Sequence, residues 1–333
     1  MRLRLERTLD MTKAGTVAVV GAGATGGYLA ARMARAGIDV TVVARGNSLA
    51  QIRACGITVI EPDGRTETIR PARVVASDAI DRPVDVALFC VKAYDTEAAA
   101  MVLPELLGAR GHVVCLQNGV ENEQLIARLV PAARVLSGAL YIGAQRTAAG
   151  VVQCSAPPRV TIGSLVGGDE TVVVAIAKMF ARAGIDCSVH AQIYAEKWQK
   201  FLFNCGLNPL TTITRQRLGP LLRNDDMAFV FDTLIDEAAA VGRAIGAPIL
   251  ADFTARLDAT AKQLDISSSM AEDMDAGRPL ESDTFTGYVL RAGARAGVST
   301  PMTRAIHGIL VALDQSRFTR SPSSATVSTS SAS

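Results

Sequence analysis

Long apolar runs are missing from this chain. Although 49% of its 333 residues are hydrophobic, no stretch of about 18 apolar residues escapes a charge or a glycine break, so no membrane-spanning helix is expected. The opening residues, Met1-Arg-Leu-Arg-Leu-Glu-Arg, have no apolar centre and Asp10 follows them, so no secretory signal is expected. Met11 is a second candidate start, and residues 1–14 read as a leader. An excess of one charge is missing too. The 34 basic and 32 acidic residues leave a net charge of +2, and there is no basic block or aromatic-rich stretch, so nucleic acid is not an expected partner.

Cysteine and histidine are sparse and scattered. Cys55, Cys90, Cys115, Cys154, Cys187 and Cys205 contain no C-x-x-C pair, so they read as reduced thiols of a cytoplasmic protein rather than a disulfide framework. Cys90 and Cys115 stand in valine-rich runs and read as small core residues. His112, His190 and His307 are too dispersed to share an ion, and no metal is expected.

The length itself suggests two domains. From Thr16 onward, β-branched runs alternate with helical patterns. Thr16-Val-Ala-Val-Val20, Asp39 to Ala44, Val84 to Val91, Val113 to Leu116 and Val135-Leu136 read as strands, and Gly26 to Ala36 as the first helix. Continuous apolar strands separated by helices signal a parallel sheet covered on both faces. Asp63-Gly64, between Ile57-Thr-Val-Ile60 and Thr66-Glu-Thr-Ile69, reads as a tight hairpin added to that sheet. Val160 to Ile162, a helix near Thr171 to Ala183 and a strand near Ile185 to Val189 complete this half. Beyond Tyr194 the strand runs stop. Helical patterns then cover Asp225 to Ile245, Asp252 to Leu264, Phe285 to Ala296 and Pro301 to Leu313. The expected fold is α/β, with an N-terminal Rossmann-type doubly wound parallel sheet over 15–190 and an all-helical C-terminal domain over 191–318. Residues 319–333 read as a Ser/Thr-rich tail that cannot bury a core.

Gly21-Ala-Gly-Ala-Thr-Gly26 is G-x-G-x-x-G, directly after a strand and opening a helix. Gly21 allows the tight turn, Gly23 lets the backbone approach a pyrophosphate, and Gly26 lets the helix pack on the strand. Ala24 and Thr25 fall at the helix start, where free N–H groups and the positive dipole end favour an anion. The bland alternative is a tight βα turn without a ligand. NAD sites of this kind carry an acid at the end of the second strand, about 20 residues on. Here that place holds Ala44-Arg45-Gly46-Asn47, and Asp39 is at the wrong end of the strand. A guanidinium binds a 2′-phosphate that a carboxylate would repel, so Arg45 argues for NADPH/NADP⁺ rather than NADH, unless it is an ordinary solvated arginine.

A second constellation is Lys200, Asn204 and Asn208, spaced i, i+4, i+8 on one helical stripe. Phe201, Leu202, Phe203, Cys205 and Leu207 lie between them, so the helix is otherwise apolar, and polar groups there need partners or a ligand. Pro209 should kink or end the helix just past Asn208. A desolvated lysine of lowered pKa can give a proton to a ketone oxygen as hydride arrives at the carbon. Lys92 and Asn118 stand at strand ends, where ligands of open α/β sheets bind, though each reads equally as a helix cap or a loop residue. Ser267 to Ser269, Asp273, Glu281 and Asp283 read as turn and capping residues.

Together these motifs resemble the ketopantoate reductases (2-dehydropantoate 2-reductases) over Thr16 to Phe318. They are GAGATGG, VARG at Arg45, CVKAYDT at Lys92, LQNGVEN at Asn118, KWQKFLFNCGLNPLT, SSSM and the region of Glu281. The resemblance implies NADPH-dependent reduction of ketopantoate, a 2-oxo acid, to pantoate in pantothenate biosynthesis. It implies Lys200 as general acid, Asn204 and Asn208 as substrate contacts, and Ser269 on the substrate carboxylate. Glu281 would act beside Lys200 in catalysis, bonding the substrate hydroxyl. Lys92 and Asn118 would line the nicotinamide and substrate pocket, and Arg45 would meet the 2′-phosphate. The family commonly reads Thr-Glu-Ile-Asp before an Asn-Gly pair, whereas this chain has Leu280-Glu281-Ser282-Asp283 and Thr286-Gly287, which alters the wall around Glu281. Two alternatives stay open: a reductase of another 2-oxo acid, of β-hydroxyacid or opine dehydrogenase type, and a non-catalytic NADP(H)-binding sensor. A homodimer is the candidate assembly.

Overall fold

The computed structural model describes residues 15–250 and 261–319. The leader, the Met11 start, the tail beyond Thr319 and most of the helix expected over Asp252 to Leu264 lie outside the described residues. The chain divides into two compact units, one reaching to Phe201 with Ala247–Ile249, the other running from Leu202 to Gly246 and from Leu250 onward.

The first unit is built on one ten-stranded sheet. Its strands are β1 (Thr16–Val20), β2 (Asp39–Val43), β3 (Ile57–Ile60), β4 (Thr66–Ile69), β5 (Arg73–Val75), β6 (Val86–Phe89), β7 (His112–Cys115), β8 (Val135–Ala148), β9 (Val151–Ser164) and β10 (Asp186–Val189). The order is β4-β3-β9-β8-β7-β6-β1-β2-β5, with β10 beside β9. Strands β8, β7, β6, β1, β2 and β5 pair in parallel, as continuous apolar runs require. Alternate residues serve opposite faces. Val17 and Val19 join a core with Tyr28, Leu29 and Met33 of α1 (Ala24–Arg35) and with Ile176 and Phe180. Ala18 and Val20 join a second core with Leu103, Leu106, Leu107 and Ile126. Helix α2 (Gly46–Cys55) follows β2. The short helices α3 (Thr96–Ala100), α4 (Leu103–Leu107) and α5 (Asn122–Ile126) fill the connections around β7, and α6 (Glu170–Arg182) precedes β10. Two covered faces make the sheet doubly wound.

Two strands are far longer than the sequence suggests. Val135-Leu136 and Val160 to Ile162 are the buried ends of 14-residue partners, β8 and β9, which form an antiparallel pair. Their outer halves carry a weaker apolar signal: that of β8 is half-buried or exposed, and in that of β9 Val152 and Cys154 are buried but are followed by exposed positions and two prolines. Pro157 and Pro158, which usually argue against a strand interior, sit at an irregularity between the pairs Gly143↔Ala156 and Tyr141↔Arg159. Gly143 fits there because a Cβ would lie 2.9 Å from the backbone Ala156 N. The Asp63-Gly64 hairpin pairs Ile57–Ile60 with Thr66–Ile69 as expected, and its loop is closed by Glu61 N donating to Arg65 O at 2.8 Å. β3 then docks on the start of β9.

Helix α7 (Ile193–Thr214) runs through both the Phe201/Leu202 division and Pro209. The expected break at Pro209 does not occur. Leu202, Cys205, Leu207, Leu210, Thr211 and Thr212 are all buried, so packing outweighs the lost N–H bond. The hydroxyls of Thr211, Thr212 and Thr214 also donate to the carbonyls of Leu207, Asn208 and Leu210, adding bonds one turn back. The rest of the second unit is helical among the described residues: α8 (Leu218–Leu221), α9 (Asp225–Ala244), α10 (Ser269–Asp275), α11 (Tyr288–Ala296) and α12 (Pro301–Thr319), with a π turn at Asp283–Gly287. Glu237 of α9 accepts Met302 N and Thr303 N at 2.9 and 2.8 Å, capping the start of α12. No described helix is long and apolar enough to cross a membrane.

Candidate active site

The glycine loop leaves β1 where β1 is flanked by β2 and β6. Gly21 N donates to Val43 O at 3.0 Å, and Cys90 N donates to Val20 O at 2.9 Å, which ties the loop to both neighbours. Gly21 has φ +99°, and a Cβ there would come within 2.9 Å of Val91 N. A Cβ on Gly26 would lie 1.9 Å from Gly21 O. Gly23 differs: a Cβ would meet nothing within 4 Å. Two glycines are therefore demanded by the protein's own packing, and the third leaves room for something else to approach. Helix α1 starts with Gly23 at its N-cap, no capping side chain and no acid in its first turn. Such an end is suited to an anion, so the residues present fit a dinucleotide pyrophosphate.

Arg45 is the residue preceding α2, and its side chain is 79% exposed. It is not alone. Asp95, in the turn after β6, holds its guanidinium at 2.5 Å through Oδ2. No local sequence signal links Asp95 to Arg45 from fifty positions away. Lys92 opens the same turn, half-buried, and its carbonyl accepts Asp95 N at 2.9 Å. The tips of β1, β2 and β6 thus bring the glycine loop, Arg45 and the Lys92–Asp95 turn to one edge of the sheet.

The first part of α7 supplies the next group. Lys200 Nζ donates to Asn118 Oδ1 at 3.0 Å and to the Leu140 carbonyl, and lies 5.1 Å from the centre of the Tyr141 ring. Asn118 follows β7, and Leu140 and Tyr141 belong to β8. One turn earlier, Lys197 makes an ion pair with Glu123 of α5, with only 3% and 1% of the two side chains exposed. Ser137 Oγ of β8 donates to Glu123 Oε1 at 2.6 Å. Burial pushes the Lys197 amine down, but the Glu123 carboxylate, with Cys115 beside it, outweighs that and holds it above the ordinary lysine range. Burial also pushes the Cys115 thiol up to about 12, so it stays protonated near neutrality. Tyr194, Trp198 and Phe201 stack edge-to-face along another stripe of the helix, with ring centroids 6.3 and 5.3 Å apart. Lys197 and Glu123, 74 positions apart, are not among the residues that local sequence patterns single out. The available signal was a second lysine in the apolar run KWQKFLF.

In the second unit, Asn204 and Asn208 continue the Lys200 stripe of α7 and are buried. Ser269 is exposed at the first position of α10. Its neighbour Ser268 is the cap, accepting Ala271 N at 3.1 Å, and its hydroxyl pairs with Thr211 Oγ1 at 2.8 Å. Glu281 is buried and accepts Thr284 N through its carbonyl just before the π turn, a feature often found where a helix serves a site. The buried Thr286 hydroxyl bonds the Ser282 carbonyl at 2.9 Å and His307 Nδ1 at 2.8 Å. Asp283 reaches instead to Arg291 at 2.5 Å.

Comparison with known proteins identifies the family. Residues 17–167 match the profile of the ketopantoate reductase PanE/ApbA family, and 192–314 match its C-terminal profile. A 2-dehydropantoate 2-reductase of Halobacterium salinarum is 29% identical over 292 residues, covering 87% of this chain and 96% of that protein. The crystal structure of a PanE/ApbA family ketopantoate reductase from Ralstonia eutropha superposes with a TM-score of 0.80 at 28% identity, over 91% of this chain and 99% of that one. A D-mandelate dehydrogenase solved with NADH and anilino(oxo)acetate shares the fold at a TM-score of 0.85 and 21% identity, over 91% and 99% of the chains. The two profiles between them take in the glycine loop, both lysines of α7 and the Glu281 turn, and the chain belongs to the ketopantoate reductase family of oxidoreductases.

Proposed function

We propose that this protein is a cytoplasmic NADPH-dependent reductase that converts ketopantoate to pantoate for pantothenate synthesis. The observation that carries the reading is the Lys200 ammonium, held by Asn118 Oδ1 and the Leu140 carbonyl in a chain of this family. The glycine loop and the start of α1, with Ala24 and Thr25, bind the pyrophosphate. Arg45 turns from Asp95 to the 2′-phosphate. The chemistry that NADPH supplies when bound is a hydride to the 2-oxo carbon. Lys200 delivers its proton to the carbonyl oxygen, leaving a secondary alcohol and a neutral amine that solvent reprotonates. Lys92 and Asn118 line the nicotinamide side. Asn204 and Asn208 hold the substrate, Ser269 meets its carboxylate, and Glu281 accepts its hydroxyl.

A second reading, reduction of another branched 2-oxo acid, is favoured by the wall near Glu281. Leu280, Ser282 and Thr286 are buried there, and Thr286 is already bonded to Ser282 and His307. One experiment separates the two: NADPH oxidation followed across a panel of 2-oxo acids including ketopantoate, 2-oxoisovalerate, 2-oxobutyrate and pyruvate. Highest kcat/KM on ketopantoate supports the first reading, and highest on 2-oxoisovalerate supports the second. No turnover on any acid would leave an NADP(H)-binding sensor.

A further inference from the structure

A buried ion pair needs a reason to exist. Two apolar side chains would fill the space of Lys197 and Glu123 without the cost of drying two charges, and such replacements are often neutral or stabilising. The reason lies in where the pair is anchored. Lys197 is one helical turn before Lys200 on α7. Glu123 lies in the first turn of α5 just after the Asn118 loop, and Ser137, which bonds Glu123, is on β8 three residues before Leu140. The inner pair therefore joins the same three segments that Lys200 touches through Asn118 and Leu140.

The Asn118 segment is fixed from behind as well. Asn122 Nδ2 donates to Asn118 O at 2.7 Å, and Thr96 Oγ1 donates to Asn122 Oδ1 at 3.0 Å. Gln117 Nε2 donates to Thr96 Oγ1 at 2.8 Å and to Val91 O at 2.9 Å, in the strand-end segment that leads to Lys92. Tyr194, one turn before Lys197, donates to Val120 O at 3.5 Å. Three successive turns of α7 thus meet the 118–123 segment, and the middle contact is charged and dry. A charge pair in a dry setting has one good geometry, whereas apolar packing tolerates sliding.

We propose that the buried Lys197–Glu123 pair, steadied by Ser137, is a positioning device that sets the Lys200 ammonium against Asn118 and the Leu140 carbonyl. Lys197 and Glu123 touch no reacting atom; they act through Lys200. The proposal rests on the reading of Lys200 as the proton donor.

The test uses the full chain with two variants, K197M/E123L, which replaces the pair by apolar groups, and S137A, which removes one bond and leaves the charges paired. Three quantities are read: kcat on ketopantoate, the dissociation constant of NADPH, and the pH profile of Lys200 acetylation by acetic anhydride, followed by peptide mass spectrometry. In the double variant kcat should fall about tenfold or more, the scale of a small misplacement of a reacting group, and in S137A by less. The NADPH constant should stay within about twofold, because the glycine loop is untouched. The acetylation midpoint of Lys200 should move in both variants, which a purely structural role would not cause. Folded variants with wild-type kcat and an unmoved midpoint overturn the proposal, whatever their melting temperatures. If the double variant does not fold, S137A decides alone by the same readings. If the wild type ignores ketopantoate, the functional reading fails, and the acetylation profile still decides the role of the pair.

Discussion

The glycine loop and the lysine face of α7 are built from opposite materials. The loop makes its site from backbone: a positive φ at Gly21, a close approach at Gly26 and an uncapped helix end. The lysine face makes its site from side chains, and each one depends on a partner far along the chain, Asn118, Glu123, Ser137 or Leu140. A backbone site tolerates change in its neighbours but not in its own residues. A side-chain site can be broken from a distance.

Lys200→Ala should show the side-chain site at its most brittle, with kcat reduced about 10²- to 10⁴-fold while NADPH still binds. Stopped-flow kinetics and a cofactor titration check both halves, and near-wild-type kcat in a folded variant would remove Lys200 from the chemistry. Glu281 comes next. Wild-type protein should prefer ketopantoate over 2-oxoisovalerate by about 10²-fold in kcat/KM, because an acid lacking the hydroxyl leaves the buried carboxylate without that bond. Glu281→Ala should erase the preference, and a variant that kept it would show that Glu281 reads no hydroxyl.

The loop can be tested by two substitutions of one methyl group. Gly23→Ala should weaken NADPH binding about tenfold with the melting temperature unchanged, since the new Cβ has free space until a ligand arrives. Gly26→Ala should instead cost about 1–3 kcal/mol of stability, because its Cβ collides with the Gly21 carbonyl. Equal effects of the two on melting would erase the distinction between them.

The charges at the β2 and β6 tips give smaller effects. Arg45→Ala should lower kcat/KM for NADPH about tenfold, or about 1.4 kcal/mol, and leave NADH nearly unchanged. Equal use of both cofactors by the wild type would defeat the premise. Asp95→Asn should improve NADPH binding by only about two- to fivefold, by freeing Arg45 from an exposed pair of modest worth. A loss of affinity would mean that Asp95 helps the cofactor rather than competing for Arg45.

What could be read from the sequence follows the same division. The parallel strands, the glycine loop and the Arg45 position are local patterns, and the sheet holds them where those patterns imply. Lys200 was visible through its spacing from Asn204 and Asn208. Lys197 was not, because what distinguishes it is Glu123, whose approach depends on the fold of the whole unit. Asp95 was hidden for the same reason. Pro209 misled because the rule that proline ends helices is local, while the packing and the threonine hydroxyls around it are not. The outer halves of β8 and β9 were missed because half-exposed strands with prolines at a bulge carry little hydrophobic signal.

The docking of β3 on β9 has a bearing on how the protein is made. Thr58 pairs with Val151, so the β3–β4 hairpin leaves the ribosome long before its neighbour exists. Pairings of such sequence separation are slow to close, and an unpaired strand edge waiting for its partner is open to association with other chains. The waiting hairpin is guarded by its own composition. Arg65, Glu67 and Arg70 put charge on it, and Thr66, Glu67 and Thr68 of β4 stay exposed in the finished sheet. Replacing those polar residues with valine would leave the folded enzyme almost untouched and lower its yield of soluble chain, a defect of birth rather than of structure.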